Sequence, residues 1–193
     1  MFTGIIEQLG EVKSITKSGT NKTFTIKADF TKELKVDQSV AHNGVCLTVE
    51  SINDGTYTVT AIEETLIKTA LNDWRENSLI NLERCMQMNG RLDGHIVQGH
   101  VDGIGECIKL DTKNGSWEYT FKTESRLDLI VEKGSICING VSLTAFDVQE
   151  NTFKVAIIPF TYEHTNFKQM AVGDTINLEY DIIGKYVQRL FKK

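Results

Sequence analysis

The side chains best suited to move protons or attack carbon near neutral pH are histidine, cysteine and an activated serine. This 193-residue chain has four histidines and four cysteines, and most of them stand in no motif. His42 and His164 have nothing around them. Cys46, Cys85, Cys107 and Cys137 form no Cys-x-x-Cys pair, so they read as small buried hydrophobes rather than zinc ligands. His100 and Ser142 differ, because Gly99-His-Val-Asp-Gly103 and Asn139-Gly-Val-Ser-Leu-Thr144 surround them with turn residues. There a histidine could exchange a proton, and a serine could donate, accept or attack. Taken alone, a histidine on a strand is more often structural. His95 precedes His100 by five residues, so on a strand the two face opposite sides and cannot share a metal. No metal site is expected. Asp181 stands just before a helical stripe; it is either the helix N-cap or a carboxylate that polarises a serine or histidine elsewhere. Gly99-x3-Gly103-x-Gly105 lacks the strand-to-helix context of a phosphate loop.

The elements that must hold these residues are written twice. Ser39-Val-Ala-His-Asn43-Gly-Val-Cys46-Leu-Thr48 matches Ser135-Ile-Cys-Ile-Asn139-Gly-Val-Ser142-Leu-Thr144, and the register continues through Thr65 with Thr161 and Thr69 with Thr165. It ends with Ile80-Asn-Leu-Glu83 against Ile176-Asn-Leu-Glu179. Upstream, Gly4 to Glu11 answers Gly99 to Glu106 with an offset one residue shorter. Two homologous domains follow, 1–94 and 95–181, with a tail at 182–193. Shared residues would hold a shared ligand, while residues present in one copy would do chemistry. His100 replaces Ile5, and Ser142 replaces Cys46. Thr48, Thr65, Thr144 and Thr161 are either polar ligand contacts or ordinary strand residues.

Within each copy, segments such as Thr56-Tyr-Thr-Val-Thr and Phe153-Lys-Val-Ala-Ile alternate in β-branched and aromatic residues, separated by turns such as Asn53-Asp-Gly55 and Asn114-Gly115. Many short strands point to a small closed barrel per repeat, a mainly β fold. Brief helical pieces are expected at Phe30 to Leu34, Glu63 to Leu66 and Ser125 to Ile130, and Pro159 should end a strand. Positions 182, 183, 186, 187, 190 and 191 make one apolar helical stripe, followed by Lys192 and Lys193. That helix either lies across its own barrel or docks against copies of itself. With 40% hydrophobic and 24% charged residues the chain can build a core, and a net charge of −5 with scattered Lys and Arg leaves no footprint for nucleic acid or membrane surfaces. Nothing approaches eighteen consecutive apolar residues, and Met1-Phe-Thr-Gly4 is unlike a secretion signal. A cytoplasmic protein with reduced thiols is the expectation.

The start Met1-Phe-Thr-Gly-Ile-Ile-Glu7 resembles that of the riboflavin synthase alpha-chain family. Asn43-Gly-Val-Cys46-Leu-Thr48, Gly99-His100-Val-Asp-Gly103, Asn139-Gly-Val-Ser142-Leu-Thr144, Ile158-Pro159-Phe-Thr161 and Tyr180-Asp181-Ile-Ile-Gly-Lys-Tyr-Val extend the likeness over essentially the whole chain. The resemblance implies two tandem six-stranded Greek-key β-barrels, each a lumazine-binding repeat, and a C-terminal helix that assembles a homotrimer. It implies dismutation of two 6,7-dimethyl-8-ribityllumazine molecules into riboflavin and 5-amino-6-ribitylamino-pyrimidinedione, without redox cofactor or metal. The implied site lies between the first barrel of one subunit and the second barrel of its neighbour; association with lumazine synthase is left open.

Ligand contacts implied in the first barrel are Gly4, Ile5, Ile6, Ser39, Cys46, Leu47, Thr48, Thr60, Ala61, Ile62, Glu63, Glu64 and Thr65, with Phe2 close by. In the second they are Gly99, His100, Val101, Lys133, Ser142, Leu143, Thr144, Ala156, Ile157, Ile158, Pro159, Phe160 and Thr161. The implied catalytic set is His100, Ser142 and Asp181, faced by Cys46 and Thr48 of a partner. Leu71 to Leu79 departs from the pattern, lacking the Val-Gly-Asp found at 172–174. His100, or a hydroxyl polarised by Asp181, is the candidate acceptor of the 7-methyl proton; water, Ser142 or Cys46 is the candidate nucleophile at C7. The same fold in a non-catalytic lumazine or flavin antenna is the alternative.

Overall fold

The computed structural model describes residues 1–124 and 127–191. The first half forms β1 (Gln8–Ser18), β2 (Asn21–Lys27), β3 (Ser39–His42), β4 (Val45–Thr48), β5 (Ser51–Asn53), β6 (Thr56–Ala61) and β7 (Leu79–Arg84). The second forms β8 (Gly103–Lys113), β9 (Ser116–Lys122), β10 (Ser135–Ile138), β11 (Val141–Thr144), β12 (Thr152–Ile157) and β13 (Thr175–Tyr180). The sheets are antiparallel with equivalent orders, β4-β3-β7-β1-β2-β6-β5 and β11-β10-β13-β8-β9-β12. β4 also approaches β6, and β11 approaches β12, so each sheet curls back on itself. The first barrel has a seventh, short strand, β5; in the second, pairing at the corresponding place shrinks to the bridge Phe146–Lys154.

Alternation does the folding. In β6, Tyr57, Val59 and Ala61 are buried while Thr58 and Thr60 face outward; β12 repeats this with Phe153, Val155 and Ile157 inside. Each such large apolar side chain contributes about 1.5–3 kcal/mol on burial. Register shifts at Val12/Ser14 and Cys107/Lys109 bend β1 and β8 at matching points. His42 is part of this core: its Nδ1 donates to Val40 O and its Nε2 accepts from Tyr57 Oη, while burial lowers its pKa to about 4.

Phe30 to Leu34 becomes a 3-10 turn at Asp29–Glu33, and Glu63 opens α1 (Glu63–Lys68). Pro159 lies just beyond β12 and occupies the first turn of α2 (Pro159–His164), where its missing N–H costs nothing. Of the helix expected at Ser125 to Ile130, a 3-10 turn covers Leu127–Leu129; Ser125 and Arg126 lie outside the described residues. The repeated Thr69 and Thr165 are explained locally, since each hydroxyl donates back to a carbonyl of the preceding helix and accepts from the N–H two residues on.

The barrels join tip to tip. Asn43-Gly44 and Asn139-Gly140 turn the β3–β4 and β10–β11 hairpins with positive φ at all four residues. A Cβ on Gly44 would lie 2.8 Å from Gly140 N, and the reverse holds, so the tips touch backbone to backbone. Asn81 donates to Asn139 O and Asn177 to Asn43 O across the junction, at 2.8 and 2.9 Å. The repeated Asn-Gly therefore serves the junction between barrels rather than a ligand.

α3 (Ile182–Phe191) starts at Asp181, whose Oδ1 accepts from Ile183 N at 2.9 Å, so the capping role is real. Lys185 pairs with Asp102 at 2.5 Å and Gln188 bonds Asp128. Its apolar residues stay uncovered by the chain: Ile183 is 63% exposed, Leu190 79% and Phe191 83%. Lys192 and Lys193 lie outside the described residues.

Candidate functional site

Side-chain alternation divides the candidate contacts into those that can face a ligand and those that cannot. On β4, Cys46 is half-buried and Thr48 exposed, whereas Val45 and Leu47 point into the core. On β6, Thr60 faces out, Ala61 is buried, and Ile62 beyond the strand is exposed. The second copy repeats the pattern: Ser142, Thr144, Ala156 and Ile158 face outward, while Ile157 is buried and Leu143 packs against the core. Leu47, Ala61, Ile157 and Leu143 are thus framework under the face. Thr65 and Thr161 are half-buried beside exposed Glu63, Glu64, Pro159 and Phe160. Thr60 Oγ1 is already engaged with Glu50 and Thr23, and Glu64 pairs with Lys68. Ser39 pairs with Thr48 across β3–β4. Lys133 holds its Nζ 5.1 Å from the Phe146 ring centroid.

The glycine segments land on the opposite barrels from those the repeat register suggests. Ser142 N donates to Gly4 O at 2.8 Å, and a Cβ on Gly4 would stand 2.6 Å from Ser142 Cβ. Symmetrically, Cys46 N donates to Gly99 O at 2.9 Å, and a Cβ on Gly99 would stand 2.6 Å from Cys46 Cβ. Both glycines have φ near +77 to +78, which a side chain disfavours on its own account. Ile6 packs on the second core and Val101 on the first. Gly4, Ile5 and Ile6 therefore border the Ser142 face, while Gly99, His100 and Val101 border the Cys46 face, a correction to the first-with-first assignment. Physically, the two segments bridge each other through Phe2 and Val97 at the crossing and exchange barrels there.

Two buried carboxylates fix the crossing. Glu83 accepts from Thr3 N and Gly4 N at 2.6 and 2.9 Å, and Glu179 accepts from Gln98, Gly99 and His100 N at 2.6, 2.9 and 3.0 Å. Burial raises both pKa values above the usual carboxylate range, against the pull of those N–H groups. The repeated Glu83 and Glu179 were legible in sequence as matched residues, but nothing local announced their role.

The candidate catalytic residues consequently separate. Cys46 and exposed His100 border one face. Burial raises the Cys46 thiol above its ordinary value, with Ser39 pulling the other way, so thiolate is scarce at neutral pH. Ser142 borders the other face, with His95 Nδ1 2.6 Å from its Oγ and the Asp181 charge acting on that ring. His95 is the residue sequence reasoning missed: 93–102 is not a strand, so the opposite-sides argument has no purchase there. The usable signal was that neither His95 nor His100 is matched by a histidine in the first copy. Among the described residues no group of three His, Cys, Asp or Glu gathers to hold a metal, and no helix is long and apolar enough to cross a membrane.

Comparison with known proteins places the doubled fold in a family. The lumazine binding domain model matches twice, at residues 3–85 and 98–181. The riboflavin synthase of Actinobacillus pleuropneumoniae is 43% identical over 195 residues, spanning all of this chain and 91% of that protein. That of Bacillus subtilis (strain 168) is 41% identical with the same coverage. A crystal structure of LumP complexed with riboflavin superposes with a TM-score of 0.86 at 21% identity, covering 93% of this chain and 99% of that one; at that identity the likeness concerns the fold alone. On the strength of the doubled domain and the full-length relatives, the chain belongs to the riboflavin synthase family.

Proposed function

We propose that this chain is a riboflavin synthase, a cofactor-independent transferase that dismutates two molecules of 6,7-dimethyl-8-ribityllumazine. One molecule gives a four-carbon unit to the other, leaving riboflavin and 5-amino-6-ribitylamino-pyrimidinedione. The observation that carries the reading is the pair of outward faces at matching register, Cys46 with Thr48 and Ser142 with Thr144, each bordered by the glycine segment of the other repeat. A reaction between two identical molecules needs two such faces.

Each barrel binds one lumazine, with 1–94 and 95–181 as the binding units. The first face of one subunit meets the second face of a neighbour in a homotrimer, and 182–193 holds the subunits together. The uncovered apolar residues of α3 support that assembly, because a ten-residue helix needs a packing partner. The four cysteines are free, in keeping with action in a reducing cytoplasm. Chemically, one lumazine loses a proton from its 7-methyl group and its carbanion adds to the second molecule, activated at C7 by a nucleophile. Holding the rings face to face supplies up to roughly 7–11 kcal/mol of the barrier reduction, and acid–base assistance about 10²–10⁴-fold more. The test is to mix chromophore-free protein with the lumazine and follow both pigments. One riboflavin for every two lumazines consumed supports the reading; tight binding with a shifted spectrum and no riboflavin overturns it in favour of an antenna.

A further inference from the structure

Ser142 has a partner that the repeat pattern does not explain. The His95 ring is 92% removed from solvent as a residue, being only 8% exposed, and its Nδ1 lies 2.6 Å from Ser142 Oγ. The other ring nitrogen, Nε2, is buried with no hydrogen-bond partner among the described residues. His95 N donates to Thr3 O, which anchors the ring's backbone to the crossing segment rather than to a mobile loop. On the other face the side chain set against the Cys46 thiol is Ser39, and among the described residues no histidine is bonded to it. A buried imidazole held against an outward-facing hydroxyl, on one face only, is an arrangement for moving that hydroxyl's proton.

We propose that His95 is a positioning residue acting through Ser142, its Nδ1 holding the hydroxyl and taking its proton as Oγ removes a proton from the 7-methyl group of the lumazine on the second barrel. This rests on the riboflavin synthase reading. The methyl C–H bond breaks and its electron pair passes into the pteridine ring. A new Oγ–H bond forms with that proton, while the original hydroxyl proton moves to Nδ1. The products are a lumazine carbanion, a neutral serine and an imidazolium, and charge balances. In the resting state the ring proton sits on Nε2, leaving the Nδ1 lone pair for the serine. Asp181 is the charged side chain acting on the ring, and it favours the imidazolium; Ser142 and the Thr3 carbonyl are neutral. On the same segment Asp93 is exposed and paired with Arg91 at 3.0 Å. Burial nonetheless holds His95 below the ordinary imidazole range, so it is a neutral, proton-accepting base at pH 7.

The experiment uses the full chain in D₂O, reading both riboflavin formation and enzyme-accelerated exchange of the lumazine 7-methyl protons by NMR. His95→Leu should slow exchange and turnover by about 10²-fold or more, with riboflavin affinity within about threefold of the parent. His95→Asn, which can still bond the hydroxyl through its amide, should recover part of the rate. It should also lose the acidic limb that the parent shows as pH falls through the His95 range. Adding His95→Leu to Ser142→Ala should slow exchange no further than Ser142→Ala alone. Parent-like exchange in His95→Leu, or a double variant slower by the product of the two effects, overturns the proposal. If His95→Leu does not fold, the acidic limb decides: its persistence in Ser142→Ala or His95→Asn overturns the proposal, and its loss in both supports it. Accelerated exchange without riboflavin would overturn the synthase reading and leave the His95 assignment standing.

Discussion

The Cys46 face and the Ser142 face are built on one plan and equipped differently. Each is an outward strand pair bordered by a positive-φ glycine of the other repeat, and each crossing segment is clamped by a buried glutamate. On the first face the strand residue is a thiol that burial keeps protonated, with His100 exposed nearby. On the second it is a hydroxyl backed by a buried imidazole and a carboxylate that caps the last helix. On the proposed reading the common plan would bind the same molecule twice, and the differing side chains would let the second face take the 7-methyl proton. Duplication alone could not create that division.

Breaking the second face should have the largest effect. Ser142→Ala should lower kcat about 10²–10⁴-fold while lumazine still binds, measured by steady-state riboflavin formation; a smaller loss would make the two faces chemically alike. Next comes the shared frame. Gly99→Ala places a Cβ 2.6 Å from Cys46 Cβ at φ +78 and should cost about 1–3 kcal/mol of stability, read from urea unfolding, with lumazine affinity lost at the first face before the second. Gly4→Ala should reverse that order, because it presses on Ser142.

The clamps give a pH signature. Burial raises Glu179 in the folded chain, so between the ordinary carboxylate value and the raised one the native state binds more protons than the unfolded state. Stability should therefore fall as pH rises through that window, and Glu179→Gln should flatten the slope while still accepting one N–H bond. The smallest effect belongs to Cys46→Ser, which should change kcat by less than about tenfold, since a protonated thiol contributes little as a nucleophile. A collapse of activity there, with binding intact, would return the C7 attack to Cys46.

Much of this was legible in the sequence because it is encoded locally. Strand alternation in Thr56–Ala61 and the repeat of Asn-Gly turns set the barrels, and the apolar stripe at 182–191 set the last helix. The extra strand β5 was not, since three residues carry too weak a pattern. The exchange of glycine segments was hidden for a different reason. Repeat register says which residues are equivalent, not which copy they touch, and the Phe2–Val97 crossing depends on contacts across about half the chain. His95 was hidden because its segment is not a strand, so a five-residue spacing does not dictate sides there.

In the proposed assembly, one first face and one second face of different subunits make one site. Two inactive variants, Ser142→Ala and a first-face block such as Thr48→Trp, can be co-expressed with different tags and purified as hybrids. Hybrids should regain riboflavin synthesis, because some of their sites pair an intact first face with an intact second face. Hybrids that contain both chains, bind lumazine and remain inactive would contradict a site shared between subunits.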